Sequence, residues 1–393
     1  MEIIFNEQRA LQVFTVLDEL WKNNRWPFND ILLPDEMIVR SPGVLQQNAL
    51  FFAALFMRGG VISEDPIRLV NQLLGDHPFV FDPSLVKEMT ERQLVDLFEE
   101  ASVKIKSLNG DPLKRSAFRY KAGEYARSWT FNARLLTEEF NADSQLIFKG
   151  VSDFEEAFGR VSQETRGKKV GLRGMHRKIF SLFAIWLQTQ KLLPLFPTPI
   201  PVDFHALRVL WATSAFELKG VPLPSSRSGK LPANLFNLCP KEAVQTRDLL
   251  IDTVAKWSQD FLARNGLAHW RVNPALWVLS RDLCAGFVQN ISVGKPRLRK
   301  EQKRSVHLLL DEEYLNCHPE LWSREKAQSL CYVCPVRDFC GYAVPAGPYY
   351  SVGVLVRMPK RKLPRQPPQG VLPGIAPLEL HLKKGRARSP RKK

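Results

Sequence analysis

Leu172-Arg-Gly-Met-His-Arg-Lys178, then an apolar run, then Leu193-Pro-Leu-Phe-Pro-Thr-Pro-Ile-Pro201 leading into Val202-Asp-Phe-His205, is the stretch whose reading decides the fold. Ile179, Leu182, Phe183, Trp186 and Leu187 recur at offsets of three, four, seven and eight, so a helix beginning at Lys178 turns one apolar stripe toward a core. Four prolines between 194 and 201 lack the amide hydrogens a helix needs and force an extended connection. The next helix must start after Pro201. Asp203 stands where a side-chain oxygen caps free amides, with Leu207, Leu210, Trp211 and Ser214 following at helical spacing. The unit therefore puts an amine and a carboxylate at the starts of two successive helices, with capping as the plainer role for the carboxylate.

This arrangement resembles the helix-hairpin-helix DNA glycosylases of the endonuclease III and adenine glycosylase type. Their hairpin reads L-P-G-V-G-x-K and a V-D-x-H segment follows one helix later; the counterparts here are Leu172–Lys178 and Val202–His205. Arg173 and His176 occupy the places of a proline and the second hairpin glycine, and a Cβ at 176 restricts positive φ there. The resemblance implies Lys178 as nucleophile, Asp203 as catalytic carboxylate, and Arg173, Gly174, Met175, His176 and Arg177 as the DNA-binding hairpin. The cations Arg177 and His176 beside Lys178 would disfavour its ammonium form.

Cys331-Tyr-Val-Cys334-Pro-Val-Arg-Asp-Phe-Cys340 has the spacing C-x2-C-x5-C. The same glycosylases close a [4Fe-4S] cluster with C-x6-C-x2-C-x5-C, so the resemblance implies such a cofactor on Cys331, Cys334 and Cys340. A cubane takes four thiolates. Cys317, inside Asn316-Cys-His-Pro, is the favoured fourth ligand and Cys284 the alternative. A zinc knuckle using some of Cys317, His318, Cys331, Cys334 and Cys340, or simply buried thiols, would use the same residues otherwise.

At 393 residues and 45% hydrophobic composition the chain can bury a large core. No basic segment with an apolar run opens it, and its apolar stretches are too short to span a bilayer. An intracellular protein, monomeric and without membrane contact, is the expectation. Clustered cysteines suggest ligation in a reducing compartment. The net charge is +16, of which residues 357–393, with twelve Lys or Arg against Glu379, carry +11. That proline-rich tail is expected to be disordered and suited to phosphate.

Elsewhere the sequence reads as helix. Leu11, Phe14, Leu17, Leu20 and Trp21 form a stripe, and Thr90-Glu-Arg-Gln93 and Ser152-Asp-Phe-Glu155 are capping boxes. A long helix over 115–140 interleaves aromatics with cations, as on a surface that stacks bases. The loop Met57-Arg-Gly-Gly-Val61 stands where the family carries a duplex-filling glutamine; Arg58 could enter the duplex instead. The expected fold is all-α and two-lobed, glycosylase-like, with a C-terminal iron-sulfur loop. Its divisions are 1–110 in the cluster lobe with later helices, 111–235 as the hairpin-bearing lobe, 236–345 as C-terminal helices and cluster loop, and 346–393 as tail. The expected activity is a double-stranded-DNA N-glycosylase, with or without AP-lyase action, on a modified or damaged base. An N-glycosidase of free modified nucleosides or nucleotides, and a non-catalytic DNA-binding protein on the same scaffold, are the alternatives.

Overall fold

The structure, a computed structural model, describes residues 2–25, 27–29, 31–57, 64–105, 121–162, 171–219, 244–283 and 334–341. It is predominantly helical. Among the described residues the sheet is one antiparallel pair, β1 (Ile3–Phe5) with β2 (Phe216–Leu218), in which Ile4 faces Glu217. No helix among these residues is long and apolar enough to cross a membrane.

Two hydrophobic cores organise the chain. The first gathers α1 (Glu7–Lys22), α9 (Phe204–Ala212), α10 (Val244–Arg264), α11 (His269–Val278), both strands and the segment around Val336. The second gathers α2 (Val44–Phe56), α3 (Glu64–Asp76), α4 (Pro83–Val86), α5 (Glu91–Lys104), α6 (Ala122–Phe140), α7 (Phe154–Val161) and α8 (Arg177–Thr189). The boundary expected near residue 110 falls elsewhere: α2 to α5 share a core with the hairpin helix α8, and only the first helix joins the later ones. The reason lies in α2. Its run from Ala49 to Phe56 is buried on every side, so it must sit within a core, and Phe51 packs edge-on to Phe183 of α8 while Phe52 stacks on Trp129 of α6 at 4.3 Å.

Local signals place the helix ends. The Asn6 side chain accepts from the Arg9 amide at 3.0 Å to start α1, whose buried stripe is Ala10, Val13, Phe14 and Leu17; Leu11 is turned outward. The Thr90–Gln93 capping box forms as its residues dictate. At α7 the cap is one residue later than expected: Asp153 accepts from the Glu156 amide, and Glu156 reaches back to the Ser152 amide.

The aromatics of α6 are mostly structural. Tyr125 and Trp129 are buried, and the Trp129 indole donates to the Val80 carbonyl at 2.8 Å. Arg127 pairs with Glu91, and Arg134 donates to the Lys87 carbonyl. Both cations lie on the outside of the helix, tied to its own lobe. Residues 106–120, which include Arg119 and Tyr120, lie outside the described residues, as do Arg58 and its loop and the tail 346–393.

Candidate active site

The hairpin forms as a tight turn. Gly174 takes φ +76°, the one hairpin position where a Cβ would be strained. His176 adopts an ordinary extended φ of −66° and caps α8 with no side-chain bond, so its Cβ is compatible with the turn. Asn132, fully buried in α6, clamps the turn from below: its Oδ1 accepts from the Arg173 amide at 2.7 Å and its Nδ2 donates to the Arg173 carbonyl at 2.9 Å. The Arg173 guanidinium lies 4.5 Å over the Phe131 ring. Met175 is buried, and His176 is exposed.

Arg177 turns inward. Its guanidinium forks onto Glu155, contacts Asp252 of α10 at 3.3 Å and lies 4.7 Å over the Phe158 ring. Two carboxylates thus balance its charge. The physical reason is amphipathic: position 177 lies on the core face of α7 and α8, where a guanidinium is stable only when paired.

Lys178, in the first turn of α8, points its Nζ to Asp203 Oδ2 at 3.2 Å and to the Met57 carbonyl at 3.4 Å. Asp203 does two things at once. Its Oδ1 accepts from the His205 and Ala206 amides at 2.8 and 3.1 Å, capping α9, which leaves Oδ2 for the lysine. Burial pushes the Asp203 carboxyl up, but the Lys178 ammonium and the Ala206 amide outweigh it and hold the group below the usual carboxylate range. His205 turns its Nδ1 to the Ser280 hydroxyl at 3.0 Å, in the π-helical turn (Leu279–Leu283) that follows α11, and Arg208 donates to the same serine at 2.9 Å. Burial lowers the His205 imidazole to about 4, so it is neutral at physiological pH.

The separation of 25 positions between Lys178 and Asp203 is accommodated by the proline-rich strap that follows α8. Gln188 Nε2 donates to Thr198 at 3.0 Å, Gln259 donates to the Pro197 carbonyl, and the Ile200 amide donates to Ser258. Gln188 Oε1 also meets His269 Nε2 at 2.6 Å, joining α8 of one core to α11 of the other.

A cleft open to solvent, with a cavity volume of about 90 Å³, lies between the two cores. It is lined by the face of α8 that carries Lys178, Leu182, Ile185, Trp186 and Thr189, and by Asp203, Trp270, Pro274, Trp277 and the segment Leu33–Asp35. Several of these residues are invisible to motif reading. Trp270, Pro274 and Trp277 follow one helical face, a signal present in the sequence but equally expected of an ordinary core stripe. Asp35 carries no local signal at all, yet it is 1% exposed and burial raises it to about 7.

Cys334 and Cys340 flank a 3-10 turn (Arg337–Phe339) docked on the first core by Val336 and by the Gly341 amide, which donates to the Ala212 carbonyl at the end of α9 at 2.8 Å. Cys284, Cys317 and Cys331 lie outside the described residues, and no group of three or more potential metal ligands occurs among those described. No family model and no curated protein matches this chain.

Proposed function

We propose that this chain is a DNA N-glycosylase of helix-hairpin-helix architecture that flips a modified base into the cleft between its two cores and breaks the bond from the base to C1′. The observation that carries the reading is the Lys178–Asp203 pair, 3.2 Å apart on the cleft wall. A base inside duplex DNA cannot present C1′ to such a pair, so the nucleotide must leave the stack. Asp203, ionised at neutral pH, faces the positive charge that develops on the sugar as the C1′–N bond breaks and its electrons leave on the base. The Lys178 ammonium gives a proton to the departing base, and the amine so formed bonds to C1′. In this reading the hairpin turn at Gly174, the exposed His176 and the Arg173 guanidinium meet the backbone of the lesion strand. Cys334 and Cys340, with Cys331 and either Cys317 or Cys284, would hold a [4Fe-4S] cluster that cross-links the loop and takes no part in breaking the bond.

Incubation with duplexes carrying a panel of base lesions, or an abasic site, in the presence of borohydride tests the proposal. A covalent protein–DNA adduct that disappears in Lys178→Gln is the expected result. If no lesion yields base release and none yields an adduct, the proposal fails. Acid-labile visible absorbance lost in Cys334→Ser is the expected mark of the cluster.

A further inference from the structure

The face of α8 that walls the cleft has two differently equipped ends. Lys178 and Thr189 are eleven residues apart, which places them roughly 16 Å apart along the helix axis. Between them Leu182, Ile185 and Trp186, with Trp270 and Trp277 also on the lining, give the cleft an apolar slot suited to a flat ring. At the Thr189 end the slot meets Asp35, and Asp35 Oδ2 lies 3.1 Å from the Thr189 hydroxyl.

The segment that carries Asp35 is held in place. The Asp35 carbonyl accepts from Gln190 Nε2 at 2.8 Å, Gln190 Oε1 accepts from Gln46 Nε2 of α2 at 2.8 Å, and Gln46 Oε1 accepts from the Ser41 amide at 2.7 Å. A carboxyl fixed this way and almost wholly buried would have to ionise with little solvent to stabilise the charge. Its neighbour Glu36 is of like sign and is engaged with the Leu33 amide. Lys178 and Asp203 pair with each other at the other end of the slot, and Arg40 lines a separate cavity behind Asp35.

We propose that Asp35 is the specificity-determining residue of the cleft: its protonated carboxyl donates a hydrogen bond to a ring nitrogen or ring carbonyl of a flat heteroaromatic ligand lying along α8. In this arrangement the Thr189 hydroxyl, 3.0 Å from the Trp186 carbonyl and 3.1 Å from Oδ2, directs its one proton to Oδ2, and the proton on Oδ1 is offered to the ligand. The inference rests on the reading of the cleft as a base pocket, but it concerns binding alone and needs no bond to break. Ligands that carry a lone-pair acceptor at that edge are favoured over isosteres that lack it. The preference is lost when Asp35 ionises, because a carboxylate only accepts. Raised by burial to about 7, the group changes charge near neutral pH, where the His205 and His269 imidazoles, both lowered by burial to about 4, stay neutral.

Benzimidazole and indole, bicycles that differ in one acceptor nitrogen, are the probes, and ligand-observed NMR on the full chain is the readout. At pH 6 benzimidazole is expected to bind roughly three- to tenfold more tightly than indole, the scale of one hydrogen bond. At pH 9 the preference should vanish. Asp35→Asn keeps an acceptor for Thr189 and a donor for the ligand, so it should retain the preference at both pH values; Asp35→Leu should lack it at both. No preference at pH 6, the same preference at pH 6 and 9 in the native chain, or its loss in Asp35→Asn at pH 6 overturns the assignment. A failure to trap a DNA adduct would leave this result untouched, since the probes contain no glycosidic bond.

Discussion

At one end of the α8 face Asp203 meets an ammonium at 3.2 Å and two backbone amides; at the other Asp35 meets a threonine hydroxyl and the like charge of Glu36. The same side chain, in one cleft, is driven to opposite protonation preferences. Burial acts upward on both and a backbone amide acts downward on each, and the difference is whether a cation answers the burial. Pairs of carboxyls pushed apart in this way divide labour between an anion and a neutral donor. Here the division would separate bond breaking from recognition.

The largest test of the comparison is at its charged end. Lys178→Gln is expected to abolish the borohydride adduct, seen as no shifted band on a denaturing gel. Asp203→Asn should reduce base release by about a hundredfold or more through loss of the anion, measured by single-turnover kinetics. Asparagine also caps helices well, so α9 should keep its stability. A parallel fall in melting temperature would mean that the ion pair with Lys178 is mainly structural.

The neutral end makes a stability prediction whose sign differs. Because the folded Asp35 holds its proton up to about 7 while an unfolded aspartate releases it near 3.8, raising pH through that window favours unfolding, and the cost is complete above about 7. Asp35→Asn should therefore stabilise the protein at pH 8.5 by about 2–4 kcal/mol, with the gain fading toward pH 4. Denaturant titrations at the two pH values measure it. A variant no more stable at pH 8.5 than at pH 4 would erase the contrast between the two aspartates.

His269, lowered by burial to about 4 from an ordinary 6.5, works in the opposite direction: stability is complete above about 6.5 and is lost as pH falls toward 4, because the unfolded imidazole takes the proton first. His269→Gln should flatten this acid limb by roughly 3 kcal/mol, measured by urea unfolding at pH 4.5 and 7. The smallest expected effect is at the hairpin: Asn132→Ala, which leaves the Arg173 amide and carbonyl without partners, should cost about 1–3 kcal/mol.

Much of the charged end was legible in the chain and little of the neutral end. Lys178 and Asp203 begin successive helices, and helix starts are written in local signals: an apolar period, prolines, a capping side chain. Asp35 has no such signal, since its protonation depends on Thr189 and Glu36 together with burial contributed by residues far along the chain. The inward pairing of Arg177 was not legible for the same reason. Glu155 and Asp252, which take up its charge, are 22 and 75 residues away, and a sequence shows its charges but not their pairing. The lobe boundary was misplaced because α2, apolar all round, gives no hint of which core will enclose it.

The proline-rich strap has a consequence for the folding of the site. Bringing Lys178 to Asp203 closes a loop of 25 residues, and a flexible chain of that length loses considerable freedom in closing. Pro194, Pro197, Pro199 and Pro201 have already restricted that freedom before folding begins, as each fixes its own φ and biases the residue before it toward extended backbone. The ion pair is thus assembled from a chain whose unfolded ensemble is partly stretched along the return path, and the geometry of the pair owes as much to the states those prolines exclude as to the contacts that hold it.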